Sequence, residues 1–118
     1  MTDVYSVIYD TLISIGYPVR EQGTYGQNEK LPETHITYFV IDQANESHAD
    51  NAPTSRTTKA RVFLYSRKPA IAQQADSVLK AAMLAAGFLR AGGRPLPFDK
   101  DTGHYGYVST YNYFEMEG

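Results

Sequence analysis

The chain has no cysteine and no tryptophan among its 118 residues. Without thiols it forms no disulfide and no thiolate metal centre, and a reducing cytoplasm is permitted. Positive charge is not in surplus. Eleven Lys and Arg stand against thirteen Asp and Glu, a formal net charge of −2, which gives no general reason to bind nucleic acid or an anionic membrane. No apolar run is long enough to span a bilayer. The opening MTDVYSVIYD carries acids where a secretory leader has a basic region, so no signal peptide is expected. Catalytic signatures are missing too. There is no phosphate loop, since GGRPLPF lacks a lysine followed by a hydroxyl residue, and no Gly-x-Ser-x-Gly elbow.

What is present suits one globular domain, residues 1–118. A chain of this size buries roughly two thirds of its unfolded surface, enough for one core. With 42% hydrophobic and 20% charged residues, global disorder is not expected. The unusual component is tyrosine, ten against five Phe. A tyrosine joins a large apolar ring to a hydroxyl that wants a partner, so it suits half-buried faces and interfaces.

Two segments read as helices. Val4, Val7, Ile8, Leu12 and Ile15 recur at spacings of three and four and make one apolar stripe. Thr2 or Asp3 caps its start, and Gly16 followed by Pro18 ends it. The second helix runs from about Pro69, pre-shaped for a first turn, to Ala86, with Gly87 placed to stop it. Its inward stripe is Ile71, Ala75, Val78, Leu79, Ala82, Met83 and Ala86. So many alanines let the helix axis approach a neighbour closely.

Residues 34–42, THITYFVID, are β-branched and aromatic with both alternating sets apolar, the pattern of a central strand covered on both faces. Residues 58–66 place Ala60, Val62 and Leu64 on one face and Lys59, Arg61, Phe63 and Tyr65 on the other. Residues 104–116 put Tyr105, Tyr107, Tyr111 and Tyr113 on one side. A shorter strand near residues 88–92 precedes it. The order of elements predicts an α+β fold, a mixed, mostly antiparallel sheet with two helices packed on one face. On that plan Phe63, Tyr65 and the tyrosine row share the uncovered face. We favour a protein–protein surface there, because tyrosine is enriched at interfaces. Stacking on single-stranded nucleic acid is the alternative, and it needs more basic residues than Lys59, Arg61 and Arg67 supply.

Asp42, Glu46, His48 and Asp50 fall within nine residues. An oxygen-rich cation loop needs a glycine at its sharp turn, and none lies between Asp42 and Pro53. Zinc wants more nitrogen or sulfur than one histidine offers. The segment is therefore expected to be a polar connection with a turn at Asn51-Ala52-Pro53, and a small metal-dependent hydrolase is the weakest alternative. Residues 23–33 and 90–103 read as mobile surface connections.

In sequence order, IGYPV closing a first helix, LPETHITYFV, ESHADN, TTKARVFLYSR and GYVSTYNYFE together resemble the tail terminator proteins of long-tailed bacteriophages and prophages, also called tail-completion or tail-to-head joining proteins. The resemblance spans nearly the whole chain. It implies a structural virion protein with no enzymatic activity and no cofactor. Its subunits would form a homo-oligomeric ring, commonly a hexamer, that caps the tail tube, stops polymerisation and meets a head connector or head-completion protein. Its place would be the virion tail end, after assembly in the host cytoplasm, with DNA met only in passing through the lumen and no membrane. On this reading Phe63, Tyr65, Tyr107, Tyr111 and Tyr113 anchor a subunit interface, and Glu46, His48 and Asp50 make loop contacts or face the lumen.

Overall fold

The computed structural model describes residues 3–26, 29–46 and 54–117. The first helix, α1 (Val4–Ile13), begins where the Asp3 carboxylate accepts hydrogen bonds from the Tyr5 N–H at 3.1 Å and the Ser6 hydroxyl at 3.0 Å. Those bonds satisfy donors that a helix N-terminus leaves open. Val4, Ile8 and Leu12 are its buried edge.

The Ala-rich segment forms two helices, α2 (Pro69–Gln73) and α3 (Ala75–Ala85), separated by Gln74 with ψ near 0°. This corrects the expectation of one continuous helix. Neither proline nor glycine marks the break, so the sequence carries no signal for it. The end of α3 follows expectation. Gly87 takes φ 96°, its N–H donates to Leu84 O at 3.1 Å, and the Phe88 N–H donates to Met83 O at 3.0 Å. This is a Schellman ending, and it brings Met83 and Phe88, both fully buried, into the core.

Among the described residues five strands follow the order β1-β2-β3-β5-β4. They are β1 (Val19–Glu21), β2 (Thr34–Glu46), β3 (Thr54–Ser66), β4 (Leu89–Asp99) and β5 (His104–Glu117). The short β1 runs parallel to β2, and every other pairing is antiparallel. The fold is thus the expected α+β class with a mixed, mostly antiparallel sheet, carrying three helices instead of two.

Two segments expected to be connections contain strand, and the turn expected at residues 51–53 lies outside the described residues. Residues 42–46 and 54–57 extend β2 and β3 past a bulge between Val40 and Asp42. Residues 89–99 form an edge strand despite Pro95 and Pro97. An edge tolerates proline because its outward N–H has no ladder partner to lose.

All three helices lie on one face, closing a core with Ile36, Tyr38, Ala60, Val62 and Leu64 from β2 and β3. Each fully buried side chain of this kind contributes roughly 1.5–3 kcal/mol. The tyrosine row belongs here as well. Leu64 pairs with Tyr107, Ala60 with Tyr111 and Thr58 with Tyr113, whereas Phe63 pairs with Val108 and Tyr65 with Gly106. Directly paired residues share a face, so Tyr107, Tyr111 and Tyr113 point under the helices. Phe88 meets Tyr113 at 4.6 Å between centroids. The expected single aromatic face is therefore two faces.

Candidate interaction surface

On the side away from the helices, β2, β3 and β5 present a ladder of rings. Phe39 and Phe63 lie 6.0 Å apart, and Phe63 and Tyr65 lie 6.0 Å apart with planes 2° from parallel. His35 stacks on Tyr65 at 5.2 Å. The order follows from register, because His35 pairs with Tyr65, Thr37 with Phe63 and Phe39 with Arg61. Gly106 makes the approach possible: a Cβ there would lie 3.0 Å from both Leu96 Cδ1 and Tyr65 Cδ1.

Beside Phe63 the face sinks into a depression of about 510 Å³ whose charged lining residues are Lys59, Arg61 and Arg94. Among the described residues no carboxylate lines it. The guanidinium of Arg61 sits 5.9 Å from the Phe39 ring centroid, close enough for a weak attraction to its π face. Asp42 lies opposite Lys59 in the strand register, beyond the lining of the depression.

A second cavity, about 390 Å³, opens between Leu31, His35, Tyr65, Leu96, Asp99 and His104. Here two buried imidazoles converge on one carbonyl. His35 Nδ1 lies 3.1 Å and His104 Nε2 lies 2.9 Å from Pro32 O, and each donates an N–H to it. The pair pins the approach to β2 onto the start of β5. Burial, above all, holds the His35 pKa below its ordinary value. The bond to Pro32 opposes this, and the neighbouring His104 and Arg67 add to it. Burial also raises the Tyr65 pKa, with Asp99 second. Both histidines spend a donor on structure. Among the described residues no group of three or more His, Asp or Glu is placed to hold a metal.

The helix-covered side carries its own exposed feature. Tyr5, Tyr9 and Ile13, spaced by four, are 41%, 42% and 43% exposed along α1. Asp3 and Asp10 flank this ridge, and α1 contains no Lys or Arg.

Of the residues expected to form an interface, Phe63 and Tyr65 lie on the open face, half-buried. Tyr107 and Tyr113 pack against the core, and Tyr111 is fully buried. A side chain with no exposure touches no partner, so Tyr111 is removed from the set and Tyr107 and Tyr113 lose their place on the open face. Glu46 sits at the end of β2, where its backbone pairs with Ser55, while His48 and Asp50 lie outside the described residues. Sequence reasoning missed Phe39, read as core, and Arg94, hidden in an apparent loop. It also missed the α1 ridge, although the spacing of Tyr5, Tyr9 and Ile13 was available.

No family model and no curated protein matches this sequence. The architecture is that of a five-stranded α+β subunit with helices on one face, and it has counterparts among solved structures. One is a chain of a structure entitled "Virion of native gene transfer agent (GTA) particle". The likeness has a TM-score of 0.54 at 14% identity and covers 98% of this chain and 92% of that one. At that identity it is a likeness of fold.

Proposed function

We propose that this protein is a structural, non-enzymatic component of a phage-type virion, acting as a tail terminator. In this role its subunits form a ring on the finished tail tube, stop its polymerisation and offer a surface to the head connector or head-completion protein. The fold likeness to a virion chain over nearly the whole length is the observation that carries the reading. The uncovered aromatic face supports it, because a monomer seldom leaves such a surface unused. Ring assembly also needs two different faces per subunit, and the sheet has an exposed ridge on one side and an open face on the other. The segment carrying Glu46, His48 and Asp50, which links β2 to β3 in sequence, would supply tube or neighbour contacts, its acids facing the lumen.

Immunogold electron microscopy of particles made by the producing cell tests the role. Label confined to the head-proximal end of the tail is expected. Label along the tube, or particles without label, refutes it.

A further inference from the structure

The open face and the α1 ridge complement each other. The ridge is apolar and aromatic, formed by Tyr5, Tyr9 and Ile13, and is bordered by Asp3 and Asp10 without a cation on the helix. The open face is aromatic, built on Phe39, Phe63 and Tyr65, and its depression carries Lys59, Arg61 and Arg94 without a carboxylate among the described residues. These two surfaces lie on opposite sides of one sheet, so no subunit joins them within itself.

We propose that the occupant of the open face is a second copy of this chain, with the α1 ridge of one subunit seated across β2 and β3 of the next. Opposite charge steers such a contact and fixes its register. An apolar helix stripe on an open sheet face also repeats the packing that α1 and α3 already make on the covered side. The contact is heterologous: each subunit gives its ridge and receives a neighbour's, so it propagates into a closed ring or an open helix. Growth through the β4 edge is opposed by Pro95 and Pro97. The proposal rests on the ring reading above and specifies which surfaces build it.

The experiment is an amide NMR dilution series on isotope-labelled protein, at low and high salt. In the native chain, concentration-dependent shifts are expected together on α1 and on residues 59–65. The open-face variant Arg61→Glu with Arg94→Glu, and the ridge variant Tyr9→Ser with Asp10→Ser, alter exposed side chains only. Each should weaken self-association by about tenfold or more, with the smaller loss at high salt. Mixed together, the two variants should form dimers and stop, because each retains one intact surface. Labelling the open-face variant should then shift α1 alone, and labelling the ridge variant should shift residues 59–65 alone.

Absence of shifts at every concentration overturns the proposal, as does a ridge variant that still self-associates through its open face. Shifts at residues 59–65 that appear only on adding single-stranded DNA also overturn it and assign the basic depression to nucleic acid. The gold-labelling result is independent of these outcomes, so a virion protein with different subunit contacts is told apart from a protein with no virion role.

Discussion

Replacing Tyr111 tests the two-faced sheet most directly, because the two placements of its ring predict opposite results. An exposed row would let Tyr111→Ala leave a folded subunit. The ring instead has no exposure and sits under α3. Deleting a buried aromatic side chain typically costs about 3–5 kcal/mol, the lost transfer energy plus the cavity left behind. A domain of this size is stable by only about 5–15 kcal/mol in total. Tyr111→Ala should therefore lower the thermal midpoint by about 10–25 °C. Tyr111→Phe separates ring from hydroxyl. The hydroxyl is buried, which raises its pKa while the adjacent Ser109 hydroxyl opposes the rise, and among the described residues neither hydroxyl has a hydrogen-bond partner of good geometry. A buried unpaired polar group costs roughly 1–3 kcal/mol, so the Phe variant should match or exceed the native chain by up to about 1 kcal/mol. Urea unfolding followed by circular dichroism measures both. A loss of less than 1 kcal/mol for the Ala variant would refute burial of the ring, and a comparable loss for the Phe variant would show that the hydroxyl is bonded.

Other perturbations reach the remaining features. Arg56 and Glu115 form an ion pair at 2.9 Å with side chains 16% and 9% exposed; Glu115→Ala should cost about 1.5–3 kcal/mol and raise hydrogen exchange at residues 54–58 and 112–117 before the rest of the sheet. His35 is held neutral by burial, with a pKa below 6.5, so the unfolded chain binds its proton first. Its contribution is complete above about pH 6.5 and is lost as pH falls from there through the folded pKa; a urea midpoint that does not fall over that range would contradict it, and His35→Gln should flatten the profile. Gly106→Ala should push Tyr65 and Leu96 aside and cost about 1–3 kcal/mol by overpacking, read as a changed Tyr65 ring signal together with a lower midpoint.

Much of the fold was legible because its signals are local. Asp3 as one of two cap candidates, Gly87 as a stop and the Ala60-Val62-Leu64 alternation each depend on a few neighbouring residues; the structure selects Asp3 for the cap and has the other two as read. The phase between strands was not legible. Alternation sorts Tyr107, Tyr111 and Tyr113 into one set but does not say which face that set takes, because pairing with β3 decides it. One residue of slip would have put the row beside Phe63, as expected from sequence alone. β4 was hidden for another reason, since Pro95, Pro97 and two glycines are loop signals everywhere except at a sheet edge. The break at Gln74 and the three-residue β1 left no trace above the background. The candidate surface was half legible: Phe63, Tyr65, Lys59 and Arg61 come from one strand and alternate together, whereas Arg94 joins them only through the β4–β5 register.

The paired ends of β2, β3 and β5, past the bulge at Ile41, have a consequence for how this subunit can vary. Their ladder bonds are made within the ribbon, so its length is not dictated by the helices beneath the rest of the sheet. Side chains alternate, however, and a single added residue in a strand would turn Lys59 or Arg56 over to the opposite side. Tolerated length changes should therefore come as matched pairs of residues in adjacent strands, each pair moving the tip by about 6.6 Å. The ribbon behaves as a ruler with fixed graduations, and related chains with ribbons of different length should differ here in even numbers.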